Sequence, residues 1–146
     1  MHKYLKLHIY NSLLYTLEGL VKNTHIGSKN LTDIQNNTRR RWVTSDLHLG
    51  HTNIIKYCNR PFINITEMNR VLVDNWNSLI SENDIVYFIG DLAFDWNNTT
   101  DYWLLQFNGD VKFIIGNHDR PETIRFYRRG VLRYPGLQLF LTHDPK

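Results

Sequence analysis

The chain has 146 residues, enough for one domain of ordinary size and too few for two. Its 42% hydrophobic and 21% charged residues suit a globular core and exclude global disorder, a collagen-like repeat and a disulfide-stapled mini-protein. The formal charge of +3 is unevenly placed, because residues 1–41 hold seven Lys/Arg against only Glu18 and Asp33; the rest of the chain is slightly acidic, which argues against a nucleic-acid-reading face on the main domain.

The longest uninterrupted apolar run, Ile85 to Ile89, falls far short of the roughly 20 residues of a spanning helix, so no membrane partner is expected. The single cysteine, Cys58, has no internal partner for a disulfide, which fits a reducing, cytoplasmic compartment.

In chain order, Ile9, Leu13, Leu17, Leu20 and Val21 recur with a helical period and predict an amphipathic helix over residues 4–22. A polar linker follows, so residues 1–41 read as an N-terminal helical extension and residues 42–146 as the main domain. Short runs rich in aromatic and β-branched residues then predict strands over Trp42 to Ser45, Ile85 to Ile89, Val111 to Ile115 and Leu137 to Leu141. Between them, helices are predicted over Thr52 to Cys58, Thr66 to Ile80 with Thr66 as N-cap, Thr100 to Phe107, and Pro121 to Arg129 with proline in the first turn. Alternating strands and helices predict an α/β domain with a partly parallel sheet. Trp42, Trp76, Trp96 and Trp103 read as core or partly buried aromatics, not as base-stacking platforms.

Each predicted strand runs into side chains able to hold a metal: Asp46 and His48, then Gly90-Asp91, then Gly116-Asn117-His118-Asp119, then Thr142-His143-Asp144. Ligands of open α/β sheets bind beyond the carboxyl ends of the strands, where such residues converge. Carboxylates, imidazoles and an amide oxygen suit manganese, iron(II), zinc or nickel better than calcium. An Asp shared between two cations would place both against a bridging water and the attacking and leaving oxygens of a phosphoryl transfer. An Asp-x-His is expected by chance about 0.5 times in this composition and decides nothing, whereas Gly-Asn-His-Asp is expected roughly 0.003 times.

Asp46-x-His48, Gly90-Asp91, Gly116-Asn117-His118-Asp119 and His143 together resemble the first four motifs of the calcineurin-like metallophosphoesterases. Thr44 through Ile55, with Arg60-Pro61-Phe62, resembles the small bacterial and phage subgroup of that superfamily. The resemblance implies an α/β/β/α sandwich and a hydrolase for phosphate mono- or diesters with two divalent cations, manganese foremost. It implies that Asp46 and His48 bind the first ion, that Asp91 bridges, that Asn117 and His143 bind the second, and that His118 protonates the leaving oxygen. The substrate is phosphorylated but of unspecified class, and nucleic acid enters only as a substrate. Arg60 is a candidate contact to its phosphate through a planar fork, and His51 a capping residue or a neighbour of the ligands.

Two departures accompany the resemblance. The Gly-Asp-x-x-Asp spacing that orients the catalytic histidine in some branches is absent, Asp95 lying one residue too far along. The family's later Gly-His-x-His is absent too, so a sandwich incomplete at the C-terminus is expected, with each ion one protein ligand short. Its sheet face would be open along Leu137, Leu139 and Leu141 and available for self-association. The rival readings are an inactive remnant of such an enzyme with weak metal binding and, from a third class, a nucleic-acid-binding module acting through residues 1–41.

Overall fold

Alternation along three parallel strands decides how the layers stack. In the computed structural model, which describes residues 15–16, 39–134 and 137–143, the first sheet has the order β1 (Tyr15–Thr16), β2 (Arg41–Thr44), β3 (Ile85–Ile89) and β4 (Asp110–Ile114). β2, β3 and β4 are mutually parallel, and β1 pairs antiparallel with β2 through Tyr15 opposite Val43 and Thr16 opposite Trp42. On one face Val86, Phe88 and Phe113 enter a core shared with Trp76, Trp103 and Phe107. On the other face Tyr87, Ile89 and Ile114 meet Leu132, Leu139 and Leu141 of a two-stranded antiparallel sheet, β5 (Gly130–Tyr134) and β6 (Leu137–Leu141). The described residues therefore form a mixed α/β fold with helices on one side of the parallel sheet and a second sheet on the other.

The helices are α1 (Ile54–Tyr57), α2 (Ile65–Leu79) and α3 (Thr100–Leu104). α2 is capped two residues earlier than expected: the Asn64 side chain accepts from the Glu67 N–H at 2.9 Å, and Glu67 reaches back to accept from the Ile63 N–H at 2.7 Å. This reciprocal box displaces the expected Thr66 cap. Met68 and Trp76 lie on the buried face of α2, with Leu72 and Val73 packed beside them, and the Trp76 indole donates to the Asn108 carbonyl at 2.9 Å. At the amino end of the parallel strands the buried Asp84 carboxylate accepts from the Trp42 indole and the Ser81 N–H and pairs with the Arg40 guanidinium at 2.9 Å. Those contacts fix β2 against β3 at the end remote from the ligand-bearing loops.

Four expectations need correction. Most of the helix expected over residues 4–22 lies outside the described residues, but Tyr15 and Thr16 are extended and add an edge strand to the sheet. The helix expected from Pro121 to Arg129 does not form. The buried Asp101 carboxylate instead gathers the N–H groups of Glu122, Thr123 and Ile124 in a bend, and Tyr127 bridges to the edge of β4, accepting from Ile115 and donating to Phe113. α3 stops at Leu104, three residues short of its expected end, and leaves Phe107 to pack on Trp76. The β5–β6 layer also faces the other way from expectation: Leu141 is buried and Leu139 packs inward, whereas Val131 and Phe140, opposite each other in register, are more than half exposed.

Asp101 yields a test. Burial works to raise its pKa, but the bonds from Thr123, Glu122 and Ile124 more than offset this and hold the carboxyl below its ordinary value. Asp101→Ala is expected to cost roughly 1–3 kcal/mol in urea unfolding, because buried amides lose their acceptor. A depressed folded pKa stabilises above the unfolded value and is lost as pH falls through the folded one, so the gap between wild type and variant should close below about pH 4.

Candidate metal centre

Asp46, His48 and Asp91 all occupy left-handed backbone, with φ of 56°, 54° and 58°. Asp and His tolerate that region better than bulkier residues, but each such position carries strain that its surroundings must offset. The offset is a ladder that continues β2–β3 pairing past the strand ends: Asp46 N–H donates to the Gly90 carbonyl at 3.0 Å, His48 N–H to Asp91 at 3.0 Å and Leu49 N–H to Leu92 at 2.9 Å. Gly90, at φ 73°, passes so close to the His143 ring that an added Cβ would lie 2.5 Å from it, and a Cβ at Gly116 would run into Asp91. Those two glycines let loops carrying different ligands approach one another.

The loops converge on the Asp91 carboxylate, which is only 4% exposed. Its Oδ2 lies 3.4 Å from His143 Nε2, 3.7 Å from His48 Nε2 and 3.9 Å from His118 Nε2, while Oδ1 accepts from the His118 backbone N–H at 3.0 Å. Asp46 Oδ1 is 3.6 Å from His48 Nε2, and its other oxygen accepts from the Ser45 hydroxyl. On the other flank the Asn117 side-chain oxygen is 3.2 Å from His143 Nε2, and His143 Nδ1 is 3.0 Å from the Ile89 carbonyl. Asp46, His48, Asp91, Asn117, His118 and His143 thus lie in one cluster.

The Asp46–His48 and His48–Asp91 separations, 3.6 and 3.7 Å, are too long for hydrogen bonds and stand slightly wider than those of ligands on a common cation. Donors about 2.1 Å from one ion and about 100° apart stand roughly 3 to 3.5 Å from each other. Ligand atoms of Asp46, His48 and Asp91 all lie within 4.8 Å of one another, and two carboxylates with an imidazole form a donor set that suits a divalent cation. The Ile89 carbonyl also favours the tautomer with a proton on His143 Nδ1, which leaves Nε2 free to bind.

The electrostatics follow from one buried anion. Burial works to raise the Asp91 pKa, but the His143 ring, the His118 N–H and the charge of His48 hold it below the usual carboxylate range. Conversely the bond to Asp91 lifts His143 to about 9 against the effect of burial. His51, which touches the His48, Phe94 and His118 rings without joining the ligand cluster, is lowered by burial and by the neighbouring His48.

Two residues hold the loops in place without reaching the cluster. Arg60, expected to meet a substrate phosphate, directs its guanidinium at the backbone, donating to the Leu47 carbonyl at 2.6 Å and the Asp46 carbonyl at 2.8 Å. That braces the strained turn. Asp119, 8% exposed, accepts from the N–H groups of Asp91 at 2.7 Å, Leu92 at 2.8 Å, Ala93 at 3.2 Å and Gly116 at 2.8 Å, tying the loop after β4 to the loop after β3. Burial raises its pKa, and those amides oppose the rise. Asp95 accepts from the Asn97 N–H, the Asn98 amide and the Trp103 indole. Among the contacts of the described residues, neither Asp95 nor Asp119 bonds to the His118 ring.

The rim is aromatic and basic. His118, with 34% of its side chain exposed, has its ring 4.8 Å from that of Phe94, which meets Trp96 at 5.7 Å. Trp42, Trp76 and Trp103 are buried as expected, but Trp96 is 75% exposed, contrary to its reading as a packed residue. An open cleft beside Asn117 and His143 is also lined by Arg128 and Arg129. No sequence period marks Phe94, Trp96 or Arg128; only their closeness to the motifs could have drawn attention to them.

Comparison with known proteins finds that the model of the calcineurin-like phosphoesterase family matches residues 39–145. The uncharacterized protein MJ1445 of Methanocaldococcus jannaschii is 44% identical over 110 residues, which cover 73% of this chain and 60% of that protein. The Gene 66 protein of Mycobacterium phage L5 is 30% identical over 84 residues, 56% of this chain and 40% of the phage protein. The crystal structure of the protein of unknown function AQ665 from Aquifex aeolicus superposes with a TM-score of 0.57 at 21% identity, covering 72% of this chain and 60% of that one, and shares the fold. The chain therefore spans between two fifths and three fifths of the length of these relatives. None of the helices among the described residues is long and apolar enough to cross a membrane.

The pair His143 and Asp91 predicts a pH dependence. A histidine raised from 6.5 to about 9 in the fold stabilises it fully below pH 6.5, and that contribution is lost as pH rises through 9. In chelator-treated protein, urea midpoints of wild type should fall between pH 6.5 and 10 more steeply than those of His143→Gln. Parallel curves would remove the ion pair from the account.

Proposed function

Because the chain belongs to the calcineurin-like phosphoesterase family, we propose that it is a metal-dependent hydrolase of phosphate mono- or diesters working at a dinuclear centre. In this reading Asp46 and His48 hold one cation, Asn117 and His143 hold the other, and Asp91 is shared. The observation that carries it is the position of Asp91 Oδ2, 3.7 Å from His48 on one flank and 3.4 Å from His143 on the other, so a single carboxylate faces both half-sites. The mixture of carboxylate, imidazole and amide oxygen favours manganese, with iron, zinc and nickel chemically compatible.

When bound, divalent cations would supply an activated water and offset the charge on the phosphate. The protein's own groups do the remaining work. Arg60 and Asp119 keep the ligand-bearing turns at fixed separation, which limits reorganisation during the reaction. Arg128 and Arg129 bring positive charge to the cleft beside Asn117 and His143, where an anionic substrate is attracted. His118 stands at the mouth with its backbone N–H bonded to Asp91, and its ring delivers a proton to the ester oxygen as that oxygen's bond to phosphorus breaks.

Manganese-loaded protein should hydrolyse bis-p-nitrophenyl phosphate and lose that activity in chelator. Asp91→Asn should lose both ions, and Asn117→Ala mainly one, by metal analysis of purified protein. An Asp91→Asn variant with wild-type metal content would contradict the shared carboxylate.

His118→Ala should keep its metal and lose about 10² to 10⁴ in rate on an alkyl phosphate ester. With p-nitrophenolate, which departs without a proton, the loss should be far smaller. A uniform loss across leaving groups would give His118 another role.

A further inference from the structure

We propose that Trp96, backed by Arg120 and joined to His118 through Phe94, is a leaving-group subsite that stacks the planar base of a nucleotide. The inference rests on the phosphoesterase reading for the place of the scissile phosphate and extends it to the chemical class of substrate.

Trp96 stands apart from the other three tryptophans, which are buried in the core, by leaving 75% of its surface to solvent. Its exposure does not come from a loose loop. Asp95 accepts from the Asn97 N–H at 2.9 Å and the Asn98 amide at 2.8 Å, closing the turn that carries Trp96, and from the Trp103 indole at 3.1 Å, which ties that turn to α3. The Arg120 guanidinium lies 4.3 Å from the centroid of the Trp96 ring and orients it by a cation–π contact. Arg120 is itself anchored, its N–H donating to the Thr100 hydroxyl at 2.8 Å, and it directly follows Asp119, the residue that ties the two ligand loops together. The platform is thus preorganised, which lowers the ordering cost of binding a flat ligand.

Position supplies the second argument. Phe94 links Trp96 to the proton donor through two edge-type ring contacts, 5.7 Å to Trp96 and 4.8 Å to His118. A group leaving from the phosphate passes His118 and reaches an aromatic face with a guanidinium beside it. A nucleoside has the matching form: an ester oxygen to accept the proton, a sugar to span the gap and a planar base for the indole. Every base has a π-face, so the platform selects nucleotides over sugar phosphates without reading one base.

The test is binding without turnover. The 146-residue chain in chelator is titrated with adenosine 5′-monophosphate and with ribose 5-phosphate, and tryptophan fluorescence and calorimetry are recorded for wild type, Trp96→Leu and Arg120→Gln. Wild type should bind the nucleotide about 5- to 100-fold more tightly than the sugar phosphate, with quenching of the exposed indole. Trp96→Leu should lose that preference while its unfolding midpoint stays close to wild type, as expected for an exposed side chain. Arg120→Gln should keep part of it. Equal affinities in wild type, or an unchanged preference in Trp96→Leu, overturn the subsite. A protein that shows the preference yet hydrolyses no phosphate ester under any metal refutes the phosphoesterase reading and upholds the aromatic subsite. One that hydrolyses p-nitrophenyl esters without preferring the nucleotide refutes the subsite alone.

Discussion

A carboxylate almost fully withdrawn from water must be matched by positive charge or by donors, and Asp91 imposes that requirement on everything around it. Its two oxygens are met from three loops: by His143 after β6, by His48 after β2, and by the backbone and ring of His118 after β4. The fold is arranged so that four strand ends face this one group. The parallel register of β2, β3 and β4 brings their carboxyl ends level, and β6 delivers His143 from the second sheet across Gly90. A cation at this place satisfies the same demand that the raised His143 pKa satisfies in its absence, so proton and metal compete for one site.

Holding the arrangement has a conformational cost. Three ligand-bearing residues sit in left-handed backbone, and two glycines are crowded past the substitution of even a methyl group. Arg60 and Asp119 offset this by bonding main-chain atoms: one clamps the carbonyls of the Asp46 turn, the other collects four amides from two loops. A charged side chain buried against the backbone of a site reads in sequence like one aimed into it. Arg60 follows the first motif closely, and its fork suits a phosphate as well as a pair of carbonyls, so its type alone could not decide between the two.

The same distinction separates what was legible from what was not. Strands β2, β3, β4 and β6 were readable because buried parallel and packed strands are short apolar runs with polar ends, and the chemistry sits at those ends. The six clustered residues were readable because motif order and strand-end placement agree. Helix boundaries depended on local bonds that compete, as where Asn64 and Glu67 outweigh Thr66. The segment after Pro121 was misread because its conformation is set by Asp101, some twenty residues earlier, and by the vacant edge of β4, neither of which leaves a local pattern. Tyr15 and Thr16 likewise follow an edge offered by β2 and not the period of their neighbours.

In the proposed reading, reaction and selection fall to different residues that are mechanically joined. The ligands are fixed by strand ends, glycines and buried carboxylates, where most substitutions would disturb the fold. The rim is built from side chains that follow those positions closely in the chain: Phe94 and Trp96 come shortly after Asp91, and Arg120 directly after Asp119. Their exposed parts contribute little to the core, so changing them alters what approaches His118 without moving the ligands. The Phe94 N–H nevertheless donates to the Leu49 carbonyl, and the Arg120 backbone exchanges bonds with Thr100 of α3, so the rim is tied to the loops that carry the cluster. In the proposed reading, selectivity would change by exchange of single exposed rings, while the clustered Asp and His residues stay tied to the buried Asp91 carboxylate beneath.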